Sequence, residues 1–242
     1  MKIFIDIGNS TVDIRFYAKN KFEPLLRFAT NDYFFSVNVL YNKLKSLNIE
    51  EIIYSSVVPN WDIKLIDLKN ELKCNLINIK NLNLDIGSEL KNSYKEIGAD
   101  FVANLFAIKK IKPNKVVLLI SLGTATTLML INNSKIISII IAPGVEISLK
   151  SLLANTSLPS DFNIKYESNL YNLTTKKAVS TGIINGHWNM LESFVNLFKK
   201  DFEDLIVVCT GGNWWRFNEL LKNANYELIE DLIFIGLKYI TK

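Results

Sequence analysis

The first chemistry in the chain lies at Asp6-Ile7-Gly8-Asn9-Ser10-Thr11, where a carboxylate is followed by a glycine and three residues rich in N–H and hydroxyl donors. Gly8 would permit the positive φ of a tight turn and a close approach of backbone to ligand, and Asn9, Ser10 and Thr11 would donate to phosphate oxygens. Asp6, at a strand end, would hold Mg²⁺ directly or through water. An ordinary Gly-Asn hairpin turn is the competing explanation. Repetition favours phosphate: Ile120-Ser121-Leu122-Gly123-Thr124-Ala125-Thr126 echoes Ile5 to Thr11 at a shift of 115 positions. A second carboxylate, Asp100, follows Gly98-Ala99 at the mouth of an expected helix, where it would orient an attacking hydroxyl for phosphoryl transfer. Asp100 would also complement the positive end of that helix, and both roles can hold together.

These groups need a scaffold that presents two turns of one kind. Each copy reads as strand, glycine turn, strand. Val12 to Tyr17 and Thr127 to Ile131 are the β-type runs, polar turns follow at Lys19-Asn20 and Asn132-Asn133, and third strands begin near Phe22 and Ile136. In the first half the pattern then predicts a helix over Asp32–Leu47, a strand over Ile52–Ser55, a helix over Trp61–Leu72, a strand over Leu76–Ile79 and a helix from Gly98 to about Ile111. In the second half it predicts helices over Val145–Leu153 and Lys176–Phe198 and a strand over Leu205–Cys209 ending at Thr210-Gly211-Gly212. A helix to about Leu221 and a last one over Asp231–Ile240 follow. Pro113 places the boundary between lobes, giving 1–112 and 113–242.

Composition limits the function classes. The chain has 242 residues, 49% hydrophobic and 21% charged, which excludes general disorder. A net charge of +4 from 28 basic and 24 acidic residues, without a long basic block, gives no reason to expect nucleic acid. Asp6 interrupts what would be the apolar region of a signal peptide, so secretion is not expected. The uncharged run from Val116 to Ser134 is rich in Val, Ile and Thr and cut by Gly123-Thr124, so buried strands rather than a membrane span are expected. Cys74 and Cys209 lack metal-ligand spacing and read as reduced thiols of a cytoplasmic protein.

Doubled strand–turn–strand units of this kind resemble the actin, Hsp70 and sugar-kinase superfold, an α/β fold of two ribonuclease H-like lobes with mixed sheets flanked by helices. Within it the chain resembles type III pantothenate kinase. The likeness runs in order through Asp6 to Ser10, Tyr94, Gly98-Ala99-Asp100, Gly123 to Thr127, Pro143-Gly144, Leu158-Pro159, Thr175 with Ala178, Gly182 and Gly186, and Thr210-Gly211-Gly212. The resemblance implies transfer of phosphate from ATP with Mg²⁺ to pantothenate, the first step of coenzyme A synthesis, in a homodimer. Asp6, Gly8, Asn9, Ser10, Thr11, Gly123, Thr124, Gly211 and Gly212 would bind the nucleotide, held between the lobes. Asp100 would be the catalytic base. Tyr94, Gly98, Ala99, Asp100, Phe101 and Thr175 would form the pantothenate site, with Thr175 reaching across the dimer.

Two positions depart from the family's pattern. Ser121 stands where the family has the Asp that helps bind a monovalent cation such as potassium or ammonium, so carbonyls, water or another residue would have to serve. Phe101 stands where it has an Arg, and a lost charge-assisted hydrogen bond to a carboxylate costs about 1.5–3 kcal/mol unless another donor substitutes. These departures leave two alternatives: a non-catalytic or regulatory relative, or a kinase for another small alcohol. His187 and the aromatic run Tyr33-Phe34-Phe35 read as packing, while Trp214-Trp215 read as core or as an adenine platform.

Overall fold

The structure, a computed structural model, describes the chain except for residues 33–35, 83, 88–93, 95, 160–162, 172–173 and 242. The run Tyr33-Phe34-Phe35 therefore lies outside the described residues. The chain forms two compact units, Met1–Pro113 with Asp231–Lys242, and Asn114–Glu230.

The first unit opens with strands β1 (Lys2–Ile7), β2 (Thr11–Ala18) and β3 (Lys21–Ala29), followed by helix α1 (Val37–Leu44), strand β4 (Glu51–Ser56), helix α2 (Pro59–Leu72), strand β5 (Asn75–Asn78) and helix α3 (Ala99–Ile111). Its sheet has the order β3-β2-β1-β4-β5, antiparallel through the first three strands and parallel at β1/β4 and β4/β5. Period-two alternation divides β1 between two faces. Ile3, Ile5 and Ile7 pack into a core with Leu40, Leu44, Trp61, Leu65 and Leu68 of α1 and α2. Asp6 lies on the opposite face, and its parallel partner in β4 is Ser55. The expected first helix starts at Val37 rather than Asp32, because the Ser36 side chain caps it by accepting from the Val39 N–H.

The second unit repeats the scheme. Strands β6 (Val117–Leu122), β7 (Ala125–Asn132) and β8 (Lys135–Pro143) lead to helices α4 (Val145–Ala154), α5 (Thr175–Ser180) and α6 (Gly186–Asp201), then β9 (Ile206–Thr210), α7 (Asn218–Asn223) and β10 (Glu227–Leu228). The sheet order is β10-β9-β6-β7-β8, with β7 antiparallel to both β6 and β8 and β9 parallel to both β6 and β10. Leu118, Ile120 and Leu122 of β6 anchor its core against Leu149, Trp188, Leu191 and Val195. The hairpin tips also match: Lys19 and Asn20 (φ 48° and 65°) and Asn133 and Ser134 (φ 47° and 62°) take the paired left-handed geometry of tight two-residue hairpins, so the second tip falls one residue later than expected.

Three details differ from the sequence expectation. The long helix expected from Lys176 is α5 joined to α6 through a π-type turn at Thr181–Asn185. The helix after Gly212 begins as a 3₁₀ turn at Trp214–Phe217, and the two-residue strand β10 carries too little pattern to announce itself. The second unit ends at Glu230, because the last helix, α8 (Leu232–Ile240), packs with the first. A Cβ on Gly236 would fall 1.8 Å from the Ala103 carbonyl oxygen, so α8 and α3 touch backbone to backbone beside the buried stripe Ala99, Ala103 and Ala107. Arg15 of β2 completes the attachment, binding Asp13 (2.8 Å from Nη2) and Asp231 and lying 4.5 Å over the Phe234 ring.

Candidate active site

In the first unit, β1 delivers Asp6 and hands the chain to the Gly8 turn. The Gly8 N–H bonds the Thr11 carbonyl (2.9 Å). Thr30 clamps the turn from β3's end, its hydroxyl donating to the Gly8 carbonyl (2.6 Å) and its N–H to the Ser10 carbonyl (3.0 Å). Trp61 Nε1 donates in turn to the Thr30 carbonyl (3.2 Å). The side chains of Asn9, Ser10 and Thr11 are exposed, and the Asn9 N–H has no acceptor among the described residues. Gly8 does not have positive φ, contrary to the sequence expectation. A Cβ there would make only an ordinary 3.6 Å contact with the Thr11 carbonyl, so internal packing does not require glycine. Open backbone at that point suits close approach of a ligand.

Desolvation pushes the Asp6 carboxyl up to about 7, with repulsion from Asp100 and Asp13 adding and Arg15 and Arg27 opposing. Such a carboxylate is short of positive charge, and a Mg²⁺–phosphate group would supply it. The donor chemistry therefore fits Mg²⁺ at Asp6, although among the described residues no cluster of three His, Cys, Asp or Glu side chains forms a closed metal site. Asp100 stands in the first turn of α3, where burial raises its carboxyl and the backbone N–H groups of Phe101 and Asp100, then the Lys80 charge, partly oppose the rise. Its Oδ1 is buried with no hydrogen-bond partner. A Cβ on Gly98 would sit 2.3 Å from that oxygen, so a larger residue there would force the Asp100 carboxylate to turn. The structure thus brings Asp6, Gly98 and Asp100 together, with Tyr94 close by through Lys80, whose Nζ donates to the carbonyls of Tyr94 and Ile97. Lys80, a lone lysine after a short strand, has no sequence signature.

In the second unit the Gly123 turn is one residue shorter. Leu122 pairs with Thr126 where Ile7 pairs with Val12, so Ala125, not Thr126, corresponds to Thr11. The Gly123 N–H bonds the Ala125 carbonyl (3.1 Å). Asn213, which the sequence reading missed, clamps this turn as Thr30 clamps the other: its side-chain amide donates to the Gly123 carbonyl (3.0 Å) and its N–H to that of Leu122 (2.9 Å). The positive φ belongs to Gly211 (96°), where a Cβ would also lie 2.5 Å from the Leu122 carbonyl oxygen. Gly144 is needed against Thr124, with a Cβ 2.3 Å from its carbonyl oxygen. Gly123, Thr124, Gly211 and Gly212 are therefore one assembly. Ser121 pairs with Thr127 and Thr210, so three hydroxyl-bearing residues stand side by side in the sheet at the position expected to bind a monovalent cation.

Thr175 begins α5 and lines an open hollow of about 470 Å³ with Leu152, Leu158, Val179 and Ile183. His187 is packed, sharing a 2.9 Å hydrogen bond with Thr126 Oγ1 and stacking on Phe217 at 5.6 Å. Trp214 joins the core, whereas Trp215 is exposed with the Arg216 guanidinium 4.4 Å from its ring centre. Both cysteines are free and buried, and desolvation pushes the Cys209 thiol up to about 12. Among the described residues no helix is long and apolar enough to cross a membrane.

Solved structures with the same fold include a Campylobacter jejuni protein provisionally described as a Baf-family transcriptional activator (TM-score 0.63, 21% identity, covering 98% of this chain and 96% of that one). Another, from Sinorhizobium meliloti, is provisionally described as a 2-dehydro-3-deoxygalactonokinase (TM-score 0.61, 11% identity, 100% and 96% covered). A third is the inorganic polyphosphate/ATP-glucomannokinase of an Arthrobacter species (TM-score 0.50, 16% identity, 99% and 97% covered). At these identities they establish the fold alone. The type III pantothenate kinase of Ehrlichia canis is 31% identical, covering 99% of this chain and 95% of its own, and that of Pelagibacter ubique is 32% identical, covering 98% and 97%. The family model for type III pantothenate kinase matches residues 2–197, and the chain belongs to that family.

Proposed function

We propose that the chain transfers the γ-phosphate of ATP to the primary hydroxyl of pantothenate, with Asp100 as the base that takes the hydroxyl proton. The observation that carries this reading is the buried, unpartnered Oδ1 of Asp100, held open by Gly98 and electrostatically coupled to Asp6. A carboxylate oxygen desolvated without a donor is costly, and an acceptor hydroxyl satisfies it. Burial raises the Asp100 carboxyl towards the working pH, which suits a group that must take a proton during the transfer.

The Gly8 turn offers Asn9, Ser10 and Thr11 to the phosphates, and Thr30 keeps that turn in place. Gly123 and Thr124, braced by Asn213 and backed by Gly211 and Gly212, are the second set of phosphate contacts. Mg²⁺ at Asp6 would neutralise phosphate oxygens as charge moves to the leaving ADP. A monovalent cation near Ser121 would rest on the hydroxyls of that residue, Thr127 and Thr210 instead of a carboxylate. Tyr94 and Gly98 border the acceptor, and Thr175 from a second copy in a homodimer contributes to the same site. Phe101 favours a second reading in which the acceptor is another small alcohol.

The test is ADP release from Mg²⁺–ATP with pantothenate, with and without potassium or ammonium. The expected product is 4′-phosphopantothenate, stimulated by one of these cations, and Asp100→Asn lowers kcat about 10²- to 10⁴-fold with a small change in KM. ATP binding without turnover of pantothenate would refute the assignment.

A further inference from the structure

A pantothenate acceptor would call for a carboxylate donor that Phe101 does not provide. A pantothenate molecule ends in a carboxylate, and the Phe101 ring, 3.5 Å from where a Gly98 Cβ would lie, cannot donate to it. The cations nearby differ in how far they are engaged. Arg15 is occupied by Asp13 and Asp231, and the Lys109 ammonium donates to the Asp85 carbonyl (2.7 Å). Lys80 is placed differently.

Lys80 sits in the 3₁₀ turn Ile79–Asn81 immediately after β5, with its N–H fixed by the Asn78 side chain (2.9 Å). Its ammonium lies 4.6 Å from the Tyr94 ring centre and donates to the carbonyls of Tyr94 and Ile97, within four residues of Gly98. Its charge is felt by Asp100. An ammonium has three N–H bonds, two of which end on those carbonyls. Carbonyls do not neutralise charge, and among the described residues Lys80 has no ion-pair partner. Half-buried and desolvated, the ammonium gains from an incoming anion more than an exposed lysine would.

We infer that Lys80 recognises the carboxylate of the acceptor substrate, in the role left open by Phe101. The assignment rests on pantothenate being the acceptor. Tyr94 and the carbonyls of Tyr94 and Ile97 hold the ammonium in place, so that substrate binding need not order a free lysine side chain.

The experiment compares pantothenate with its neutral primary amide as acceptor, using wild type, Lys80→Met and Lys80→Arg, with KM and kcat read separately and folding checked by thermal melting. The expected result is that Lys80→Met raises KM for pantothenate about 10- to 100-fold and leaves KM for the amide within about threefold, any fall in kcat being the same on both acceptors because the Lys80 charge also acts on Asp100. Lys80→Arg, which keeps the charge, restores most of the preference for the carboxylate and serves if the Met variant melts early. Retained discrimination in a folded Lys80→Met variant, or an equal rise of KM on both acceptors, would overturn the role of Lys80 while leaving the kinase assignment standing. No turnover of pantothenate by the wild type would overturn both.

Discussion

Replacing Asp6 by Asn should make the nucleotide-free protein more stable at alkaline pH while weakening its use of ATP. The Asp6 carboxyl rises from 3.8 to about 7, chiefly through desolvation, so the folded state holds this proton more tightly than the unfolded chain. Below about pH 4 both states are protonated and the group is neutral in its effect. Between about pH 4 and 7 the unfolded chain ionises first, stability falls as pH rises, and above about 7 the cost is complete. A shift of about three units at 1.36 kcal/mol per unit sets a ceiling of about 4 kcal/mol at pH 8 and less than half that at pH 5. Partial exposure of Asp6 keeps the measured value below this ceiling. An amide of the same shape has no charge to desolvate, so Asp6→Asn should recover most of the difference. Urea unfolding of both proteins at several pH values, without nucleotide, measures it directly. A variant no more stable than wild type at about pH 8, or a difference that does not change with pH, would refute the reasoning. In the presence of Mg²⁺–ATP the order should reverse, because the ligand supplies the charge that Asp6 lacks.

Gly98→Ala should act on chemistry rather than folding: the new Cβ would meet Asp100 Oδ1 at 2.3 Å, and steady-state kinetics should show kcat down about 10- to 100-fold with a melting temperature close to wild type. Gly236→Ala should do the opposite, because its Cβ would strike the Ala103 backbone, which has no side chain to rotate away. Denaturant melts should show a loss of about 1–3 kcal/mol or more.

Much of the architecture follows from local pattern. Strand and helix periodicity, together with the echo of Ile5 to Thr11 at Ile120 to Thr126, marks the duplicated unit, and the sheets show the same strand arrangement in both copies. The candidate carboxylates Asp6 and Asp100 are also legible, because each stands close to a glycine at a strand end or helix mouth. The turn expected to need positive φ at Gly8 does not, and the requirement falls on Gly211, since torsion at a loop depends on the strand it must cross. The shorter Gly123 turn escaped the repeat because β7 is buried on both faces from Leu128 to Ile131, and a continuous apolar run hides a one-residue offset that an alternating strand would reveal.

The sequence alone determined the paired units, the order of their elements and the carboxylates at their edges, since these depend on neighbours within a few positions. Only the tertiary structure decided that α8 returns to the first unit, that Thr30 and Asn213 clamp the two glycine turns, and that Lys80 stands beside Tyr94. Each of these joins residues far apart in the chain: Lys80 reaches across 14 positions to Tyr94 and Asn213 across 90 to Gly123. Such contacts arise from the packing of whole elements, which no local spacing encodes.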